Sequence, residues 1–479
     1  MKPVALIPAA GRGIRLYPLT EENPKAMLEI EGKPLLQNNL EILRDQLQVR
    51  EVHIVIGKNG HKIRDYFLDG SHLDLDINYI VQEHQRGIGH AIGLGAEYID
   101  TPFFVILGDE MYLNSNHRDL LPLVSGDFNV ICGVKKTTNW KAIRENYTAT
   151  LEGDTILSVT EKPCHPTTPL LGVGTYAFDP VVFDYIAKTL PSRLRNEIEI
   201  TDVINAIAHS ESGVHPFFLE GYYANINTLS DLNSATYEWR SSHFPEYRIS
   251  VIIPAHNEQE SIATVIRDFQ GDPVDEIVVV DNASDDDTAV RAHECHARVV
   301  LEPRKGYGNA LKRGFEKATG DILVATEADG SFSSEDLYKI LEHMKHSDMV
   351  IGSRTTRQLL EEGAMGWFPR WGNIAVGKLL EGLWWNRNHR FTDVGCTYRA
   401  VWRSAYDRVK DTLQNGGPAF SVEMMIEMLN AHMNLIEIPV RYYRRCGGKS
   451  KHSASKIQNV ETGLQMLQLI LKKRLASFL

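Results

Sequence analysis

Two segments of this chain open in the same way. Val4-Ala5-Leu6-Ile7-Pro8 is a short apolar run that passes straight into a glycine-rich stretch. Ile249-Ser250-Val251-Ile252-Ile253-Pro254 is a second such run, passing into Ala255-His256-Asn257-Glu258. Each opening is followed by strand patterns alternating with helix patterns. In the first half the strands fall at 52–56, 77–81, 103–107 and 129–134, and in the second at 276–281, 297–301, 321–326 and 348–352. Continuous apolar strands separated by helices make a mostly parallel sheet covered on both faces. The fold class is therefore α/β, with two such domains in tandem. In sheets of this kind ligands bind at the carboxyl ends of the strands.

The 479 residues are too many for one ordinary core, and the boundaries expected are 1–240, a linker at 241–247, 248–455, and an amphipathic C-terminal helix at 456–479. The join, Glu238 to Pro245, is polar and short. A net charge of −11 argues against nucleic acid as a partner, which wants a basic surface. Five scattered cysteines with no C-x-x-C pair point to neither a disulfide framework nor a zinc site, and to a reducing cytoplasm. The N-terminus has no signal-peptide h-region, and no apolar run is long enough to span a bilayer. Any meeting with the inner face of the cell membrane is peripheral.

The chemistry of the first half sits after its strands. Gly11-Arg12-Gly13-Ile14-Arg15 follows the first, where backbone N–H groups can wrap an anion and Arg15 adds a fixed fork of donors. A glycine pair alone is equally well explained by a tight turn. Downstream come Glu22-Asn23-Pro24-Lys25, a glycine-rich segment with Gln82, Gly87, Gly89 and His90, and Leu107-Gly108-Asp109. Then follow Glu161-Lys162-Pro163, Glu199-Ile200-Thr201-Asp202 and Asn225-Ile226-Asn227-Thr228. A carboxylate at a strand end, as at Asp109, suits a divalent cation bridging phosphates.

In this order the motifs resemble the sugar-1-phosphate nucleotidyltransferases, over roughly residues 1–233. The resemblance implies an NTP and a sugar-1-phosphate as substrates. It gives Arg15 the phosphates that leave as pyrophosphate, and Lys25 a bridge between nucleotide and sugar phosphates. Gly11 and Gly13 would belong to the phosphate loop, and Gln82 with the Gly87 backbone would read the base. Asp109 would bind Mg²⁺ (or Mn²⁺), Glu161 and Gly174 would touch the sugar, and Lys162 its phosphate. Many relatives carry Asp as the second metal ligand, where this chain has Asn225 and Asn227. The N-I-N-T form is also similar to cytidylyltransferases for phosphocholine-type substrates.

The second half ends its strands on Pro254 to Glu258, on Asp281, and on Glu327-Ala328-Asp329, with Lys305-Gly306-Tyr307-Gly308 as a cationic glycine turn between. A single acid at a strand end is as well explained by a helix N-cap; a run of them at consecutive ends is less so. With Ile351-Gly352-Ser353-Arg354, Thr392-Asp393 to Tyr398-Arg399 and Gly447-Gly448-Lys449-Ser450-Lys451, the segment 249–456 resembles inverting GT-A glycosyltransferases of the dolichyl-phosphate mannose synthase type. The resemblance implies an NDP-sugar donor, bound by Pro254, Glu258, Asp281 and Lys305, and a metal held by Asp329 and Glu327. Glu327 departs from the usual Asp. With both resemblances in hand, the expected architecture is two Rossmann-like domains, a nucleotide-diphospho-sugar transferase fold and a GT-A fold.

The acceptor is argued from cations. Arg354, Arg357, Arg370, Arg387, Arg390 and Arg399, then Arg441, Arg444, Arg445, Lys449 and Lys451, would suit a polyprenyl phosphate. A phosphate monoester, with a second pKa of about 6, is largely dianionic at neutral pH and needs no strong base. A hydroxyl acceptor would need one, with Asp393 or Glu423 as candidates. Two segments suit a lipid surface: the Trp/Arg stretch from Gly366 to Trp385, and the apolar tail from Leu464 to Arg474. Each is alternatively a core helix or a contact in a homo-oligomer. The expectation is a bifunctional enzyme that makes an NDP-hexose, UDP-glucose before GDP-mannose, and transfers the hexose to polyprenyl phosphate. The alternatives are a cytidylyltransferase joined to a hydroxyl-directed transferase, or one domain that binds nucleotide without catalysis.

Overall fold

The computed structural model describes residues 3–192, 196–208, 213–385, 389–446 and 456–476, the last with side chains at 461–475. It divides into two units, Met1–Trp239 and Arg240–Leu479. The residues expected as a linker lie at the end of the helix Leu229–His243 and in the turn Phe244–Glu246, because nothing in that polar stretch breaks a helix before Pro245.

The first unit is built on seven strands: β1 (Val4–Pro8), β2 (Glu51–Ile56), β3 (Asp76–Val81), β4 (Phe103–Ile106), β5 (Val130–Lys136), β6 (Leu170–Phe178) and β7 (Val214–Phe218). In space they run 3-2-1-4-6-5-7. All neighbours are parallel except β6, which is antiparallel to both β4 and β5. Alternate residues serve opposite faces: Ala5, Ile7, Val52, Ile54, Phe104 and Ile106 join one apolar cluster, Leu6, Val55, Phe103 and Val105 the other. That two-sided burial is why these strands read as unbroken apolar runs. Each such side chain contributes about 1.5–3 kcal/mol when fully buried.

The second unit has β8 (Ile249–Ala255), β9 (Glu276–Asp281), β10 (Arg298–Leu301), β11 (Ile322–Ala325), β12 (Met349–Ser353), β13 (Arg399–Trp402) and β14 (Leu435–Pro439). Their spatial order is 10-9-8-11-13-12-14. Here β13 is the strand antiparallel to both its neighbours, and β14 returns parallel to β12. Counted from the first strand of each unit, order and polarity are the same in both sheets. The repeated opening of the sequence is thus the start of a repeated fold. Asp109 follows β4, and Glu327 and Asp329 follow β11, the corresponding strand.

Candidate functional site

In the first unit, β1 ends on a loop that must turn at Gly13, whose φ of 61° lies in the left-handed region. A Cβ there would press on Lys25 and Thr20 at 3.2 Å, so the loop sits directly on the segment carrying the lysine. Lys25 is buried, and its ammonium lies 2.5 Å from Asp109 Oδ2, 3.0 Å from Asn227 Oδ1 and 3.5 Å from Asn225 Oδ1. Arg15 donates to the same Asn227 oxygen at 3.0 Å. Four sequence segments meet here because β1, β4 and the strand Tyr222–Asn225, paired with Glu110–Leu113, all end on one side. An open cleft of about 790 Å³ lies over the cluster, lined by Gly11, Gly13, Arg15, Lys25, Asp109 and Asn227 among others.

The cleft also takes in Arg12, Gln85, Arg86 and Glu197, none of which the sequence reading singled out. Ile198 N–H donates to Arg86 O at 2.7 Å, and Gly89 N–H donates to Ile198 O at 2.9 Å. This clamp explains Gly87: its φ is 94°, and a Cβ would lie 2.7 Å from Ile198 O. Gln82 was expected to read the base. It is buried, and its amide lies 2.8 Å from His90 Nδ1.

Glu161 and Lys162 form an ion pair of 2.9 Å at the end of the strand Thr155–Glu161. They reach the cluster through Asn146, whose carbonyl accepts from Lys162 N–H at 2.7 Å and whose side chain accepts from Asn225 at 3.1 Å. A lone asparagine gives no signal in sequence. Gly174, on β6, donates its N–H to Glu110 Oε2 at 2.8 Å, and Glu110 also accepts from Tyr112 at 2.5 Å and Tyr223 at 2.7 Å. Burial, then the charge of Asp109 beside it, push the Glu110 carboxyl up to about 7.

In the second unit Asp329 is buried, accepting from Ser331 N–H at 2.9 Å and from Arg445 Nε at 2.6 Å. Glu327 accepts from Thr397 at 2.8 Å and Ser331 Oγ at 3.3 Å; burial and the neighbouring Asp329 raise its pKa. Asp281 closes β9 and accepts from Ser284 N–H at 3.2 Å. Glu258 takes Ser261 Oγ at 3.2 Å, and Pro254 lies on β8 two residues before the loop. Lys305 is exposed, 4.0 Å from Asp285.

Three of the expected site residues, Asp393, Arg354 and Arg399, have partners within the protein. Asp393 is wholly buried and both its oxygens are taken by Arg354, at 2.8 and 2.9 Å, with Arg354 N–H adding a third bond at 2.9 Å. Burial opposes the charge on Arg354, but Asp393 outweighs it and the guanidinium pKa is raised. The two hold each other. Arg399 is buried on β13, donating to the carbonyls of Cys396 and Ser421. Of the other arginines, Arg390 pairs with Glu381 at 3.3 Å and Arg441 with Glu335. Arg387, Lys449 and Lys451 lie outside the described residues.

Residues 4–242 match the family described as nucleotidyl transferase. The AglF protein of Haloferax volcanii, named as a UTP–glucose-1-phosphate uridylyltransferase, is 31% identical over 232 residues, covering 48% of this chain and 94% of that one. The chain belongs to the nucleotidyl transferase family. Its second unit matches glycosyl transferase family 2 at residues 250–405. The bifunctional protein GlmU of Methanococcus vannielii is 33% identical over 238 residues, 48% of this chain and 53% of that protein, so the chain spans about half the length of that relative. A solved structure titled as UDP-glucose pyrophosphorylase complexed with UDP-glucose is 26% identical, covering 50% of this chain and all of that one, with a TM-score of 0.46.

Within this nucleotidyl transferase the donor set tests what a cation would meet. One carboxylate and two amide oxygens converge on the Lys25 ammonium, and hard oxygen donors of that kind fit Mg²⁺ or Mn²⁺. In the family 2 unit a guanidinium stands against Asp329 in the corresponding place. Among the described residues no three His, Cys, Asp or Glu side chains form a metal cluster by themselves.

Proposed function

We propose that the first unit makes an NDP-hexose from an NTP and a hexose-1-phosphate, and that the second transfers the hexose to a polyprenyl phosphate. The observation that carries the reading is the correspondence of the two sites. Each unit ends its fourth strand on a buried or half-buried carboxylate pressed by a cation, Lys25 on Asp109 and Arg445 on Asp329. Two such sites in one chain suit one shared compound, a nucleoside diphosphate sugar. Tethering raises its local concentration at the second site.

In the first reaction a phosphate oxygen of the sugar-1-phosphate attacks the α-phosphorus in line, and pyrophosphate leaves. Arg15 and the Gly11–Gly13 loop hold the departing phosphates, and Lys25 spreads its charge over both partners. Asp109, Asn225 and Asn227 would hold Mg²⁺, which supplies further charge neutralisation. UDP-glucose is favoured, supported by the likeness to AglF, a protein named as a UTP–glucose-1-phosphate uridylyltransferase and matched over nearly its whole length.

The surroundings of the two candidate bases support the choice of acceptor. Asp393 is locked to Arg354, and Glu423 lies between Lys473 at 3.2 Å and Asn415 N–H at 2.7 Å. With both carboxylates engaged, an acceptor that brings its own anionic nucleophile fits best. A membrane surface is supported by Trp367, Trp371 and Trp385, exposed by 74%, 62% and 83% on and just after the helix Trp367–Leu383. No described helix is long and apolar enough to cross a bilayer. In the C-terminal helix Lys456–Ala476, Met466 and Ile470 are buried while Leu464, Leu471 and Leu475 are exposed.

A matrix of NTPs against sugar-1-phosphates, read by pyrophosphate release, tests the first half. Transfer of labelled hexose from the best product into polyprenyl phosphate vesicles tests the second. Release with UTP and glucose-1-phosphate, followed by label in lipid, is the expected result. Turnover confined to CTP with phosphocholine would overturn it.

A further inference from the structure

Two acids on the helix Phe420–Asn430, Glu423 and Glu427, sit one turn apart and both are buried. Like charges at that spacing repel. They are held together by one cation from the last helix: Lys473 Nζ lies 2.7 Å from Glu427 Oε1 and 3.2 Å from Glu423 Oε1, and donates to Thr412 O at 3.2 Å. Burial opposes the ammonium charge, but the bonds to the two glutamates outweigh it and raise its pKa.

The free oxygen of Glu423 carries the contact onward. Oε2 accepts from Asn415 N–H at 2.7 Å, fixing the loop whose Gly416 O accepts from Asn309 N–H at 3.1 Å. That loop is the wall against which the Lys305–Gly308 turn is built. A Cβ at Gly306, where φ is 136°, would lie 2.4 Å from Gly416 O, and one at Gly308 would lie 2.6 Å from Asn415 O. The turn's own Tyr307 lies 3.2 Å from Ser421 Oγ and donates to Thr397 Oγ1 at 3.1 Å, and Thr397 donates to Glu327 at 2.8 Å. From Lys473 to Glu327 the path is continuous hydrogen bonds and backbone packing.

We propose that Lys473 is a positioning residue for donor binding in the second unit: through Glu423 it holds the Asn415–Gly417 loop that shapes the Lys305–Gly308 turn. The C-terminal helix is then a strap on the donor side of the site as well as a partner of the core. This rests on the reading of that unit as an NDP-sugar-dependent transferase.

The test compares Lys473→Met and Lys473→Arg in the full chain. With supplied NDP-sugar, Lys473→Met should raise the donor KM about tenfold, with acceptor KM and the pyrophosphate-releasing half-reaction little changed. Lys473→Arg keeps a cation within reach of both glutamates and should restore most of the donor KM. Hydrogen exchange gives a readout independent of transfer: Lys473→Met should speed exchange at Asn309 and Asn415, and leave the β8 amides protected. Unchanged exchange at those two amides, or a folded Lys473→Met with wild-type donor KM, would overturn the proposal. If the wild type transfers from no NDP-sugar, the transferase reading fails, and exchange at Asn309 and Asn415 alone decides the strap.

Discussion

The Lys25 ammonium lies 2.5 Å from Asp109 Oδ2, closer than to any of its amide partners. The cation therefore stands where the carboxylate and the two asparagine oxygens would hold a divalent ion. Replacing it should act in opposite directions on binding and on turnover. Lys25→Met frees Asp109 and should tighten Mn²⁺ binding to the nucleotide-free protein, measured by titration calorimetry. The same change removes a charge from the transition state and should lower kcat for pyrophosphate release by roughly 10²–10³-fold.

Asp393 and Arg354 are a second buried pair, and here the prediction is about stability. Asp393→Ala strands a desolvated guanidinium and should cost the second unit about 3–5 kcal/mol. Calorimetry should show its unfolding transition shifted down with that of the first unit unmoved. A catalytic-base role predicts otherwise: Asp393→Asn would then stay stable and lose the acid limb of the pH–rate profile.

How much of this was legible beforehand divides along physical lines. The strands were: each expected run lies within a residue or two of its observed place, because two-sided burial leaves an unbroken apolar signal. Arg15, Lys25, Asp109, Asn225 and Asn227 were legible as well, since motifs at strand ends converge in such sheets. Asn146 and Glu110 were not, because their roles come from hydrogen bonds to segments far apart in sequence, Asn225 for the first and Gly174 and Tyr223 for the second. Arg354, Asp393 and Arg399 were read as facing an acceptor. Sequence shows their charge but not their burial, and it is the fold that brings Asp393 to Arg354.

His117 supplies a pH test. Burial holds its pKa down at about 3, its ring lying between Ser115 at 2.8 Å and Thr175 at 3.0 Å. A depressed folded pKa means stability that is complete above the unfolded value of about 6.5 and lost as pH falls toward the folded one. Between pH 6.5 and 5, before most carboxylates titrate, the first unit should lose up to about 1.4 kcal/mol per pH unit through this group. His117→Phe should lower stability at pH 7 and flatten that slope in urea titrations.

Gly174 has no room for a side chain. A Cβ would lie 2.5 Å from Glu110 Oε2 and from Leu107 Cδ1. Gly174→Ala should destabilise the first unit by about 1–3 kcal/mol, as overpacking does. Leu107→Ala in the same chain should recover part of the loss, with both read from thermal unfolding.

On the proposed function, Asp109 and Asp329 serve separate half-reactions on one shared compound. Measuring both half-reactions in Asp109→Ala and in Asp329→Ala separates the two roles. Asp109→Ala should lose pyrophosphate release and keep hexose transfer from supplied NDP-sugar, and Asp329→Ala should do the reverse. A folded variant of either kind that loses both half-reactions, or keeps both, would show that the two carboxylates do not divide the chemistry in this way.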